Sequence, residues 1–162
     1  QLFANQGNLE DWIGFLAVRT KFIDDWLTAK RPQQVVILGA GLDTRPYRLQ
    51  SLCNIPVFEV DFANVLKAKR DILKDVKLIS LKLRDVGANL STDAWEERLC
   101  DSGFDPSIST CWLLEGLTGY LTESELKAFL LKITSLSAPS SSMIATFVGE
   151  ESAQNGMVTS MH

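Results

Sequence analysis

Apolar positions recur along this chain in two rhythms, and each predicts a different element. Over residues 9–30, Trp12, Phe15, Leu16, Phe22, Ile23, Trp26 and Leu27 follow helical spacing, and Arg31-Pro32 supplies the stop. At 35–38 the rhythm changes to an unbroken run, Val-Val-Ile-Leu, that ends in Gly39-Ala40-Gly41. This predicts a buried strand running into a tight turn. A second strand is expected over 56–60, closing on Asp61, and a helix over 62–74 with Phe62, Val65, Leu66, Ile72 and Leu73 on one side. A third strand is expected over 78–83 and a helix over 92–100, where Trp95 and Leu99 lie one turn apart. The fourth strand, 110–114, closes on Glu115. Thr122-Glu-Ser-Glu125 has the form of a capping box, opening a helix with Leu126, Phe129, Leu130, Ile133 and Leu136 inward. A fifth strand is expected over 143–148.

Strand and helix alternate, and the strands are continuously apolar rather than alternating. Strands of that kind are buried on both faces, as in a parallel sheet covered by helices. The expected fold is a doubly wound α/β domain, whose ligands bind at the carboxyl ends of the strands. Three features there carry chemistry. Gly39 and Gly41 allow a tight turn and close backbone approach to a cofactor, although Thr44 replaces the third glycine of the dinucleotide fingerprint. A plain strand-to-helix turn is the alternative. Asp61 ends the second strand, where a carboxylate accepts bonds from ribose hydroxyls; its alternative is a helix cap. Glu115 ends the most apolar strand, as a cofactor-facing acid or as a satisfied structural carboxylate. A fourth candidate lies in the first helix. Trp12, Leu16, Arg19, Ile23 and Trp26 place Arg19 inside the apolar stripe. A guanidinium there needs an anion. It either binds a ligand carboxylate, snorkels, or pairs with Asp24, Asp25 or another acid.

Composition narrows the class. With 162 residues, 46% hydrophobic and 22% charged, the chain fits one globular domain. A net charge of −4 makes a nucleic-acid face an unexpected reading, and no apolar run is long enough to span a membrane. Three cysteines without CxxC spacing argue against a disulfide framework or a zinc site and suit a reducing, cytoplasm-like compartment. The single histidine is His162, so neither a histidine base nor a multi-histidine metal site is expected. The chain opens at Gln1 and reaches its end through a polar, loop-like stretch over 150–156, so it is expected to be a fragment of a longer protein. The expected organisation is one domain over 1–162, with a helical segment at 1–32 and the core at 33–149.

Six motifs fall in order along the chain: Arg19-Thr-Lys-Phe-Ile-Asp-Asp25, Gln34-Val-Val-Ile-Leu-Gly-Ala-Gly-Leu-Asp-Thr-Arg45, Tyr47-Arg-Leu49, Val57-Phe-Glu-Val-Asp61, Gly103-Phe-Asp-Pro106, and Trp112-Leu-Leu-Glu-Gly-Leu117 with Tyr120-Leu121. Together they resemble the leucine carboxyl methyltransferase family. The nearer likeness is to the family's bacterial-type O-methyltransferase branch, whose members run to nearly twice this length. The resemblance implies a Rossmann-like class I methyltransferase sheet, truncated on its C-terminal side, with S-adenosyl-L-methionine as cofactor. It implies that Arg19 holds the cofactor's carboxylate, Gly39 and Gly41 form the turn, Asp61 binds the ribose, and Glu115 faces the cofactor. One motif departs. Where the family reads Asp-Leu-Arg-Asp against the adenine, this chain has Lys82-Leu-Arg-Asp85, leaving only the Leu83 backbone to meet the ring.

The implied reaction is methyl transfer to a carboxylate or hydroxyl oxygen of a small molecule or protein. No catalytic residue and no metal is expected. Two other readings stand beside it. One is a methyltransferase-like domain without catalysis, serving as a structural or binding subunit with a protein partner. The other is a nicotinamide-dependent oxidoreductase on the same fold.

Overall fold

A computed structural model describes residues 9–92, 94–148 and 158–161. The stretch expected as a loop over 150–156 lies outside the described residues, as does His162. Helix α1 covers Leu9–Lys30, β1 Gln34–Leu38, the short α2 Arg45–Arg48, β2 Pro56–Asp61 and α3 Ala63–Ile72. There follow β3 Lys82–Gly87, α4 Trp95–Asp101, β4 Thr110–Leu114, α5 Glu123–Ser135, β5 Ser142–Val148 and β6 Val158–Met161. One sheet has the order β3-β2-β1-β4-β5-β6. Its first five strands are parallel, and β6 joins β5 antiparallel.

Successive residues of a strand face opposite sides of a sheet, so a strand apolar throughout needs cover on both. Val35 and Ile37 of β1 join Ile23 and Leu27 of α1 and Leu66 of α3 on one face. Val36 and Leu38 join Trp95 and Leu99 of α4 and Phe129 and Ile133 of α5 on the other. There the Phe104 and Trp112 rings pack tilted with centroids 5.4 Å apart, and Trp112 Nε1 donates to Ser137 Oγ at 2.9 Å. Helix α5 opens as expected. Thr122 Oγ1 accepts from the Glu125 amide, and Glu125 accepts from the Thr122 amide.

The third strand corrects the expectation. It runs over Lys82–Gly87 rather than 78–83, in register with β2 from Pro56↔Lys82 to Asp61↔Gly87. The apolar stretch before it is a connection whose amides are taken elsewhere: Ile79 and Ser80 donate to the Pro46 carbonyl, and Leu81 to that of Ile55. Helix α3 also departs. Phe62 and Ile72 are exposed, whereas Lys69 is fully buried, three residues after buried Leu66. Its Nζ donates to the equally buried Glu59 Oε1 at 2.7 Å, which is what makes an inward lysine tolerable. In α1 the stripe is covered unevenly: Ile23 and Leu27 are buried, while Leu16 and Phe22 are exposed.

Candidate functional site

The strand order reverses between β1 and β4, each of which continues into one of its neighbours in the opposite direction. At such a switch point the loops diverge and leave a crevice beyond the carboxyl ends. Gly39 follows β1 there and Glu115 follows β4. Gly39 and Gly41 both have positive φ, 69° and 41°, a conformation that L side chains resist. The turn is tied back by the Gly39 amide to the Val60 carbonyl at 2.9 Å. A Cβ on Gly41 would meet nothing within 4 Å, so the backbone faces open space at this point.

Asp61 closes β2 beside this turn. Its Oδ2 accepts from the Gly41 amide and its Oδ1 from the Phe62 amide, both at 2.7 Å. The cap position of α3 is Phe62, not Asp61, and no side chain caps that helix. The carboxylate therefore braces the turn, and each oxygen keeps a second acceptor direction.

Arg19 and Glu115 meet. Arg19 Nε donates to Glu115 Oε1 at 2.6 Å, with the two side chains 21% and 16% exposed. The acid that Arg19 finds within the chain is thus the one at the end of β4. The guanidinium also lies over the Phe15 ring, 5.5 Å from its centroid. Among the described residues its two terminal nitrogens have no hydrogen-bond partner.

The sequence reading missed the residue that joins these parts. Arg45, the first residue of α2, has a side chain only 3% exposed. Its Nε donates to Asp24 Oδ1 of α1 at 2.7 Å, and one terminal nitrogen serves both Asp43 of the turn and Glu115 Oε2, the latter at 2.8 Å. Arg48 takes the other Asp24 oxygen. Burial works against the Arg45 charge, but Asp43 and Glu115 outweigh it and hold its pKa above the ordinary value. Burial likewise pushes Asp24 up, and its bonds to Arg48 and Arg45 win, leaving it below the ordinary carboxylate value. A signal was available: a cation opening a helix runs against the preference of that end for anions, so it needs carboxylates of its own.

Lys82 and Leu83 do not join the site. They begin β3, opposite Pro56 and Val57, at the end of the sheet away from the glycine turn. Leu83 lies four residues before Gly87, roughly 13 Å along the strand. Leu83, expected to meet a bound ring, thus lies apart from the glycine turn. The residues beyond the carboxyl end of β3 are Ala88, Asn89 and Leu90. The Ala88 amide donates to the Asp61 carbonyl, and Asn89 Oδ1 accepts from the Ser91 amide. Among the described residues no group of three or more potential ligands could hold a metal ion.

An open parallel sheet with a glycine turn, an acid after β2 and an acid after β4 defines a Rossmann-like methyltransferase fold. A solved structure from Nostoc punctiforme, named as an O-methyltransferase, has this architecture, superposing with a TM-score of 0.65 at 16% identity over 84% of this chain and 39% of that one. The sequence places the chain more narrowly. The profile of the leucine carboxyl methyltransferase family matches residues 3–134, and the chain belongs to that family. Relatives named as S-adenosyl-L-methionine-dependent methyltransferases include one from Mycolicibacterium gilvum, 42% identical over 135 residues, 80% of this chain and 44% of the relative. Another, from Mycobacterium sp. strain KMS, is 38% identical over 142 residues, 87% of this chain and 48% of the relative. The chain spans about half the length of the curated relatives it matches.

Proposed function

We propose that this chain is the cofactor-binding part of an S-adenosyl-L-methionine-dependent O-methyltransferase whose acceptor oxygen belongs to a carboxylate or a hydroxyl. The observation that carries the reading is the Arg19–Glu115 pair at the switch point. It leaves a half-buried guanidinium with its terminal nitrogens open beside a glycine turn. The residues fit that cofactor's chemistry. Arg19 offers two parallel donors to an amino-acid carboxylate. Asp61 has acceptor capacity left for two ribose hydroxyls, and the open space over Gly41 admits a close approach of the backbone. For the adenine side this reading assigns Asn89, just beyond the carboxyl end of β3, in place of Lys82; its Oδ1 also accepts from the Ser91 amide.

When bound, the cofactor supplies an electrophilic methyl group on a sulfonium. The chain's part is to bind it and align it. A carboxylate acceptor is ionised near neutral pH, so no protein base need be held at the site. Of the two features that favoured a non-catalytic domain, Lys82 and the absent carboxyl-terminal half, the first lies at the far end of β3. A nicotinamide reading has the two-glycine turn and Asp61 to support it, but gives Arg19 no role. Among the described residues no helix is long and apolar enough to cross a membrane. Three free cysteines accord with a reducing compartment.

Calorimetric titration with S-adenosylmethionine and with NAD separates the readings. Saturable heat with the first alone is expected. Heat with NAD alone, or with neither, would overturn the proposal.

A further inference from the structure

Arg45 touches more of the candidate site than any residue assigned to it, yet it presents almost no surface to a ligand. Its guanidinium is shared by carboxylates from three separate elements: Asp24 on α1, Asp43 in the glycine turn and Glu115 after β4. A planar fork can serve several carboxylates at fixed angles, whereas an ammonium is a single point of charge. Glu115 in turn divides its oxygens, Oε2 to Arg45 and Oε1 to Arg19. The Nε edge of Arg19 is therefore fixed by an acid that is itself fixed by Arg45. This leaves the terminal edge of Arg19 aimed away from Glu115.

We propose that Arg45 is a positioning residue which holds Glu115, and through it Arg19, in the geometry that receives the amino-acid end of the cofactor. The assignment rests on the cofactor reading given above. It divides the site in two. The nucleoside end is held by Asp61, the turn and the end of β3. The amino-acid end depends on the chain Arg45–Glu115–Arg19.

Ligands that share the nucleoside but differ in the amino-acid part test this. S-adenosylmethionine carries the carboxylate and ammonium; 5′-methylthioadenosine carries neither. In Arg45→Lys, affinity for S-adenosylmethionine should fall about tenfold or more, while that for 5′-methylthioadenosine stays within about twofold. Added to Arg19→Met, the same substitution should cause little further loss, because the two act through one contact. Glu115→Gln gives a second route should Arg45→Lys fail to fold, with the same ligand-selective loss expected. Equal weakening of both ligands in the variants would mean that Arg45 only supports the fold, and would overturn the assignment. Undiminished binding of S-adenosylmethionine would overturn it too. A wild-type protein that binds neither ligand would instead overturn the cofactor reading, and this assignment with it.

Discussion

Arg19 and Glu115, 96 positions apart in the chain, are joined by a 2.6 Å hydrogen bond from the guanidinium Nε to a carboxylate oxygen. That bond brings the first helix onto the end of the fourth strand at the point where the sheet changes direction. It also satisfies Arg19 on one edge only. Arg19→Met should preserve the fold and weaken S-adenosylmethionine binding by roughly 2–4 kcal/mol, the cost of leaving a ligand carboxylate without its charged partner. Calorimetry on the variant checks this; an unchanged affinity would show that the bond to Glu115 is the whole of Arg19's role.

Asp61 holds two backbone amides and has capacity for ribose hydroxyls besides. Asp61→Asn keeps the shape but replaces one acceptor oxygen with a donor, set against an amide it cannot bond. Cofactor affinity should fall about tenfold, accompanied by a small loss of thermal stability from the unsettled turn. If the melting temperature drops and binding is unaltered, Asp61 only braces the turn.

Position along β3 decides between Lys82 and Asn89. Lys82→Ala, at the start of the strand, should leave cofactor affinity unchanged. Asn89→Ala, beyond its carboxyl end, should weaken binding by about 1 kcal/mol, the net worth of one hydrogen bond. The opposite ranking in parallel titrations would return the adenine side to the Lys82–Asp85 motif.

Glu59 and Lys69 form a fully buried ion pair, with Arg70 on the second carboxylate oxygen. Burial dominates at Glu59 and keeps its pKa above the ordinary value despite both cations. Removing one partner of a buried pair strands the other, so Lys69→Met should destabilise by roughly 3 kcal/mol. Urea denaturation would show the lower midpoint; no change would mean that Arg70 alone satisfies Glu59.

Asp24 links the network to pH. Its folded-state pKa lies below the ordinary carboxylate value, so the ionised form is favoured by folding. Its contribution is complete above the unfolded value and is lost as pH falls through the folded one. Asp24→Asn should therefore be less stable than the wild type at neutral pH, with the difference shrinking below about pH 4. Melting curves across pH 3–7 measure it; a difference independent of pH would indicate packing rather than charge.

How much of this could be read from the sequence follows from where each residue finds its partner. β1 and β4 were legible because each carries an unbroken apolar run, 35–38 and 111–114, and is buried on both faces. β3 was not, because it is an edge strand whose residues Lys82, Arg84 and Asp85 break the apolar pattern, while 78–81 imitates it in a connection. Lys69 could not be placed inward, since Glu59, the acid that allows it, lies on another element. Arg19 stood out as a cation within an apolar stripe. Arg45 did not, being surrounded in sequence by polar turn residues, although it ties more of the site together.

The central claim is that the crevice between β1 and β4 takes the cofactor with its carboxylate on Arg19. A crystal structure of the protein with S-adenosylhomocysteine tests it most directly. The expected result is a ligand carboxylate within hydrogen-bond distance of the terminal nitrogens of Arg19, its ribose against Asp61. A ligand bound elsewhere, or an empty crevice at saturating concentration, would contradict the account.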